Sequence, residues 1–490
     1  MRKHPLLLEI SAWPWLERLS REERRTVTLA TVPGNRWDRM AEDGFDVLFL
    51  MGVWRRSAIG RDVARTDPGM VSEYDRVLPG WTELDVPGSP YSIQAYEPDD
   101  RMGGWHGLDT ARRELKSRGI SLVLDFVPNH TGFDHAWTVD HPERYVLGTE
   151  EDQRLAPADF RSVDVGGRSI PIACGRDPHF APWTDVAQLN YFNPDTRLAM
   201  QATVRDISAH CDGVRCDMAM LVLNDVFDRT WRRLLRDNWP RPATEFWPDT
   251  TRKLPEFIYL AEVYWGLEGR MLDQGFTFAY DKRLLDGLLS PQRATHTRDL
   301  LSASFPDPSR LARFVENHDE GRSAATLNGL LGAVASLLVS LPGMRFFFDG
   351  QLEGRRIKVP VQLGRWPEEP ADEAVSALYR RALAFARDQV LHDAEWKLLR
   401  VSSGGDPSFA GIVAYRWRCA GALAVVTVNL GAATSQAHVD IGGDLFPGEV
   451  FDFEDRLTDV SYRWTRDALL DRGLYVRLEA GSAHLFTVHC

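Results

Sequence analysis

The chain has 490 residues, 44% of them hydrophobic and 26% charged, a profile that excludes long disorder and fits a soluble globular protein. A formal net charge of −12 leaves no basic footprint for a phosphate backbone, so nucleic acid is not an expected partner, while neutral substrates stay open. The length allows about three ordinary domains, or one large barrel of roughly 250 to 400 residues with appendages.

The N-terminal stretch MRKHPLLLEISAW has two cationic residues, Arg2 and Lys3, and an apolar run cut short by Glu9, too little for the core of a signal peptide. The longest apolar run, Leu330–Leu341, contains two Ser and stops at Pro342-Gly343, short of membrane-spanning length. A cytoplasmic protein with no membrane partner is expected. Its five cysteines (Cys174, Cys211, Cys216, Cys419, Cys490) are odd in number and show neither CxxC nor zinc spacing, so they read as reduced thiols.

Eight strand-like apolar runs follow in order, most trailed by a longer segment of helical pattern: Leu6–Ile10, Asp46–Met51, Ile120–Val127, Gly213–Asp217, Phe257–Glu262, Phe276–Tyr280, Leu311–Glu316 and Met344–Asp349. Thr110–Ser117, Asp195–Ala209 and Ala371–Arg387 repeat apolar residues every three or four positions, as helices do. This alternation predicts an α/β fold, a (β/α)8 TIM barrel. Between the third and fourth strands lies 131–194, rich in Asp, Pro and Gly and far longer than an ordinary connection, which predicts an inserted subdomain at the functional rim. After about Leu391 short β-rich runs (Ile412–Trp417, Ala422–Asn429, Tyr475–Leu478) predict an antiparallel β-sandwich. The expected organisation is a barrel over 1–130 and 195–390, the insertion over 131–194, and the sandwich over 391–490.

Four predicted strands end in polar clusters: DFVPNH (Asp125 to His130), GVRCDM (Gly213 to Met218), YLAEVYW (Tyr259 to Trp265) and FVENHDE (Phe314 to Glu320). Strand alternation puts Arg215 and Asp217 on one face and Val214, Cys216 and Met218 on the other. Alone, that fragment reads equally as a structural ion pair or as a charged pair lining a cavity. Active sites of such barrels gather at the C-terminal strand ends. Carboxylates converging there, Asp217, Glu262 and Asp319, cannot all stay ionised easily, so one becomes an acid while another remains a carboxylate. Retaining glycoside hydrolysis needs such a pair, about 5–5.5 Å apart.

The four clusters, in this order, resemble the four signature regions of the α-amylase family, glycoside hydrolase family 13, and the expected barrel, insertion and terminal β-domain resemble its architecture over nearly the whole chain. The resemblance implies Asp217 as nucleophile, Glu262 as general acid/base and Asp319 as a third acid that holds sugar hydroxyls while the ring distorts. It implies Arg215 as the nucleophile's partner, His130 and His318 as hydrogen-bond partners of the sugar, and Asp125 and Asn129 as supports of that substrate-binding wall. Tyr91, in PYSIQAY, resembles the family tyrosine that stacks on the same sugar. The implied activity is retaining hydrolysis of α-glucosidic linkages in an oligosaccharide or disaccharide through a covalent glycosyl-enzyme. Transglycosylation, isomerisation or phosphorolysis of sucrose, trehalose or malto-oligosaccharides stands as the alternative, and a non-catalytic amylase-like binding subunit as a second.

The sequence also departs from the family pattern. The Lys-His pair three and four residues after the nucleophile is replaced by Met220 and Leu221, and the LPDLN-like fifth region reads VAQLN, Val186 to Asn190. With Gln188 in place of the aspartate, the calcium ligand pattern is incomplete and no cofactor is expected. Met220 and Leu221 predict an apolar floor on the leaving-group side, which favours transfer by excluding water. His179, Phe180, Trp183 and Tyr191 read first as the insertion's own core. Glu353, Arg355 and Arg356, within Asp349 to Pro370, read as a solvated salt-bridge cluster ahead of a site for a charged sugar.

Overall fold

The computed structural model describes residues 2–489 except 237, 304 and 446. Eight strands close into a parallel barrel: β1 (Leu6–Ser11), β2 (Val47–Met51), β3 (Ser121–Phe126), β4 (Gly213–Cys216), β5 (Ile258–Ala261), β6 (Phe278–Tyr280), β7 (Leu311–Arg313) and β8 (Met344–Phe348), with β8 returning to β1. Apart from Ser11 they fall within the predicted runs, with Asp217, Glu262 and Asp349 directly after the last strand residue and Glu316 past the end of β7 at Arg313. Buried on both faces, these strands are near-continuous apolar runs, as parallel sheets require. Tyr280, Phe314 and Phe346 fill the barrel with ring centroids 5.1–5.8 Å apart. Gly213 opens β4 because a Cβ there would stand 2.6 Å from the Ile258 carbonyl oxygen on β5.

Helices Gly104–Ser117, Pro194–Ser208 and Glu373–Ala386 overlap the predicted helical segments. The first starts six residues earlier than its periodicity indicates, because Gly103 turns through φ 98° to admit a Gly-containing first turn. The second starts where the Asn193 side chain accepts from the Asp195 N–H and Pro194 occupies the first turn.

The predicted 131–194 insertion, which reads as irregular, folds into a four-stranded antiparallel sheet ordered His130–Gly132, Trp183–Gln188, Arg168–Gly175, Phe160–Val165. Reciprocal amide bonds lock it to the barrel mouth. Asn129 Nδ2 donates to Gln188 Oε1 at 3.1 Å, and Gln188 Nε2 donates to Asn129 Oδ1 at 3.0 Å and to the Asn129 carbonyl at 2.9 Å. Both residues are fully buried.

The C-terminal part is an antiparallel β-sandwich. A six-stranded sheet, ordered Glu395–Leu398, Ile412–Cys419, Ala422–Asn429, Ala483–His489, Val450–Asp455, Val460–Thr465, faces a three-stranded sheet of Val401–Ser403, Ser435–Val439 and Leu474–Leu478. Ile412, Val425, Val439, Phe451 and Phe453 pack between them. The outer face of the larger sheet seats on helix Leu331–Ser340, where Trp417 Nε1 donates to the Ser340 carbonyl at 2.7 Å and Tyr415 Oη meets Ser340 Oγ at 2.7 Å. Among the described residues no helix is long and apolar enough to cross a membrane. Cys174, Cys211, Cys216 and Cys419 are free thiols, and Cys490 lies outside the described residues.

Gln188→Ala strands the buried Asn129 amide. Its unfolding free energy in urea is expected to fall by about 1–3 kcal/mol, the usual penalty for an unpaired buried polar group.

Candidate active site

The strand ends of β3, β4, β5 and β7 open on a cavity of about 640 Å³ that Asp217, Glu262 and Asp319 line together, with Tyr91 and His130 on its wall. That volume lies in the roughly 300–1,000 Å³ range of small-molecule sites.

Its centre is a guanidinium. Arg215, fully buried on β4 in register with Asp125 on β3 and Leu260 on β5, extends Nη1 to Asp217 Oδ1 at 2.7 Å and Nη2 to Glu262 Oε2 at 2.9 Å, the second contact being an ion pair off the hydrogen-bond direction. Tyr91 and Tyr280 flank it, with ring centroids 5.3 and 5.7 Å from the guanidinium carbon. Although burial alone would lower it, Glu262 and the surrounding oxygens hold the Arg215 pKa well above its ordinary value. Two nitrogens of one cation thus bring two carboxylates from different strands to one place.

Glu262 has three polar contacts. Met218 adopts a left-handed backbone with φ 40° and ψ 48°, which aims its N–H at Glu262 Oε2 at 2.7 Å. Tyr264 Oη donates to Oε1 at 2.8 Å, and the third contact is the Arg215 ion pair. Burial nevertheless dominates, so the Glu262 carboxyl is raised to about 7 against the pull of Arg215, with Asp217 and Asp319 adding to the rise.

Asp319 moves the other way. Burial would raise it, but the His318 imidazole, 2.9 Å from Oδ2, outweighs burial, and with Arg215 and Lys358 brings it well below the carboxylate range. The Lys358 ammonium bonds the Asp319 carbonyl. The environment therefore pushes the two acids Glu262 and Asp319 in opposite directions.

The other predicted site residues take different places. Tyr91 Oη lies 2.8 Å from His318 Nε2, and its ring stacks on the imidazole at 5.5 Å. His130 reaches the cavity and is lowered to about 4 by burial, so it is a neutral imidazole tied to the Tyr91 backbone and, at 3.3 Å, to the Asn129 amide. Asp125 and Asn129 do not reach the cavity. Asp125 stands behind it, accepts the Gly52 N–H at 2.7 Å, and is raised to about 7 by burial. Asn129 spends its amide on Gln188 and His130.

The same amide clasp occupies the residues where the family pattern would hold calcium. Asn129 has no free oxygen, Gln188 supplies no carboxylate, and these residues do not fit the ion. The only His/Cys/Asp/Glu group clustered tightly enough for a metal, among the described residues, is the exposed set His141, Glu143 and Asp195.

Several expectations need correction. Met220 and Leu221 are buried beneath the mouth and do not line the cavity; Met218 does, because the left-handed turn reverses which side chain faces inward. Phe180 is a cavity wall and not core, 73% exposed on a turn that the Asp177 carboxylate caps by accepting from His179 N and Phe180 N, while Trp183 lines the cavity and also packs against the core. Tyr191 is core, packed on Phe246. His179 meets Trp265 edge-on at 4.9 Å. Glu353, Arg355 and Arg356 lie outside the cavity; Arg355 covers Trp366, and their segment contributes Val361 and Gln362 to the wall instead. Sequence reasoning missed Tyr264 and Glu9, the partners of Glu262 and His318. Tyr264 follows Glu262 by two residues on the same side of the chain, which was the available signal.

No protein-family model matches the chain. The molecule is a (β/α)8-barrel protein with an acidic pocket at the C-terminal strand ends and an antiparallel domain behind it. Its fold is that of the α-amylase family. The chain is 24% identical over 344 residues to an α-amylase of Haloarcula japonica, covering 67% of this chain and 45% of that one. It is 21% identical over 305 residues to an α-amylase of Dictyoglomus thermophilum, covering 57% and 56%. It thus spans about half the length of these curated relatives. The crystal structure of a Lactobacillus plantarum α-amylase superimposes with a TM-score of 0.69 and 20% identity over 99% of both chains, a likeness of fold.

Tyr264→Phe removes a donor that favours ionised Glu262. The alkaline limb of the pH profile of kcat/KM is expected to move upward, measured on a neutral α-glucoside with the wild type alongside.

Proposed function

We propose that the chain is a retaining glycoside hydrolase acting on α-glucosidic linkages of short oligosaccharides. The carrying observation is the shared Arg215 guanidinium, which holds the Asp217 and Glu262 carboxylates on one side of a sugar-sized cavity. In this reading the Asp217 side chain, held by Arg215 at 2.7 Å, attacks the anomeric carbon. Glu262, protonated near neutral pH, gives its proton to the departing glycosidic oxygen. A covalent glycosyl-aspartate forms as the leaving sugar departs. Water then enters, Glu262 takes its proton, and the hydroxide oxygen displaces Asp217, restoring both groups. Asp319, an anion beside the His318 imidazole, accepts hydroxyl hydrogen bonds from the distorting ring. The Tyr91 face supplies an apolar wall for the same sugar.

Hydrolysis is preferred over transfer because the apolar floor expected of Met220 and Leu221 is not at the cavity. Relatives named α-amylase support the reaction class. A relative named trehalose-6-phosphate hydrolase matches only 28% of this chain, and no Lys or Arg lines the cavity among the described residues. The buried free thiols Cys174, Cys211 and Cys216 support a reducing, cytoplasmic setting. The amide clasp supports activity without calcium.

Asp217→Asn and Glu262→Gln are each expected to lower turnover of malto-oligosaccharides by about 10²–10⁴-fold or more. NMR of the first-formed product should show the α-anomer; first release of the β-anomer would refute retention. Wild-type kcat/KM should fall as pH rises through about 7, because Glu262 then loses the proton it must donate. Activity and melting temperature should be unchanged by EDTA.

A further inference from the structure

Glu9 interrupts the apolar run of β1, and neither its sheet neighbours nor the proposed reaction explains it. Its register partners are Phe348 on β8 and Phe49 on β2, and its side chain is fully buried. An ionised carboxylate in such a place is costly by several kcal/mol or so unless a cation meets it. Its one ion-pair partner among the described residues is His318, 309 positions along the chain, with Nδ1 at 2.5 Å from Oε1; Oε2 has no partner. His318 in turn directs Nε2 at Asp319 Oδ2, 2.9 Å away, and at Tyr91 Oη, 2.8 Å away. The ring therefore presents a nitrogen to a carboxylate on each side. Neither neutral tautomer can donate to both.

We propose that Glu9 is a positioning residue that keeps His318 doubly protonated, so that the sugar-facing anion Asp319 always has an adjacent cation. The proposal rests on reading the cavity as a glycosidase site.

The surrounding groups make this support necessary. Facing His318 are Glu9 from β1, Asp125 from β3, Tyr91, and its own neighbour Asp319. Three cations also border the small space beside it: Arg56, Arg322 and Lys358. Each is committed elsewhere, Arg56 to the Gly88 carbonyl, Arg322 to Glu316 at 2.9 Å, and Lys358 to the Asp319 carbonyl. As like charges they work against a protonated imidazole, and so does burial. Asp319 and Glu9 outweigh both, raising His318 well above its ordinary value. Glu9 acts from the far side of the ring, where no substrate reaches, and this leaves Asp319 free to turn one oxygen to the sugar.

The test uses the full chain labelled with 15N-histidine, in wild-type, Glu9→Gln and Glu9→Asp forms. Imidazole nitrogen shifts of His318, assigned by their loss in His318→Asn, are followed from pH 5 to 9. In parallel, kcat/KM is measured on maltotriose. The wild-type and Glu9→Asp rings should stay imidazolium throughout. In Glu9→Gln the ring should titrate within the range, with kcat/KM about tenfold or more below wild type at pH 8, the equivalent of one pKa unit, and recovering toward pH 5.5. A Glu9→Gln ring that stays cationic, or a pH profile parallel to the wild type, overturns the proposal. Should Glu9→Gln fail to fold, a neutral His318 in the wild type at pH 7 overturns it equally. The shifts report on His318 even if maltotriose is not hydrolysed, so failure of this proposal is distinguishable from failure of the glycosidase reading.

Discussion

A buried guanidinium organises the mouth of this barrel. Arg215 has no access to water, so its charge is tolerable only while anions surround it, and the two it touches, Asp217 and Glu262, come from the ends of β4 and β5. The reverse also holds, because carboxylates this close would repel one another without the cation between them. Position follows from register: β4 places Arg215 beside Asp125 and Leu260, and the close approach of Gly213 to Ile258 sets how near β4 and β5 run. The strained turn at Met218 adds a backbone donor at the point where the two acids meet.

Around that centre acidic and basic groups alternate. Glu9, His318 and Asp319 follow one another outward from the barrel interior as acid, imidazole and acid, while Arg215 sits between Asp217 and Glu262. Asp217, Glu262 and Asp319 each have a buried basic group behind them, Arg215 for the first two and His318 for the third. The cavity surface itself is therefore acidic although its interior is nearly balanced. Such an arrangement keeps the field pre-oriented toward positive charge developing on a bound ring.

Much of the barrel was legible in the sequence because parallel strands buried on both faces are short continuous apolar runs, and because each functional strand breaks that pattern at its end with Asp, Glu, His or Arg. The insertion was not legible: in Arg168–Gly175 and Trp183–Gln188 exposed and buried residues do not alternate cleanly, Pro171 interrupts one strand, and the loop residues dominate the composition. Phe180 resembled a core residue because an aromatic's sequence neighbours do not tell whether it faces a protein or a ligand. Local twist defeated the assignment of Met220 and Leu221, since one left-handed residue, Met218, exchanges inside and outside for the side chains after it. Glu9 and His318 meet only because β1 and β7 flank β8 in a closed barrel, a relation that no local pattern encodes.

Helix Leu331–Ser340 is unusual in being apolar over nearly its whole circumference, with every residue from Ala333 to Ser340 buried. One side meets the barrel and the other meets the large sheet of the C-terminal sandwich, so the helix is a shared layer belonging to both. Removing the sandwich would leave a greasy, water-facing cylinder on the barrel's flank, an adhesive surface inviting self-association. The trailing β-domain thus serves the barrel as a solubilising lid over its own stickiest element, and the two parts should melt in a single event.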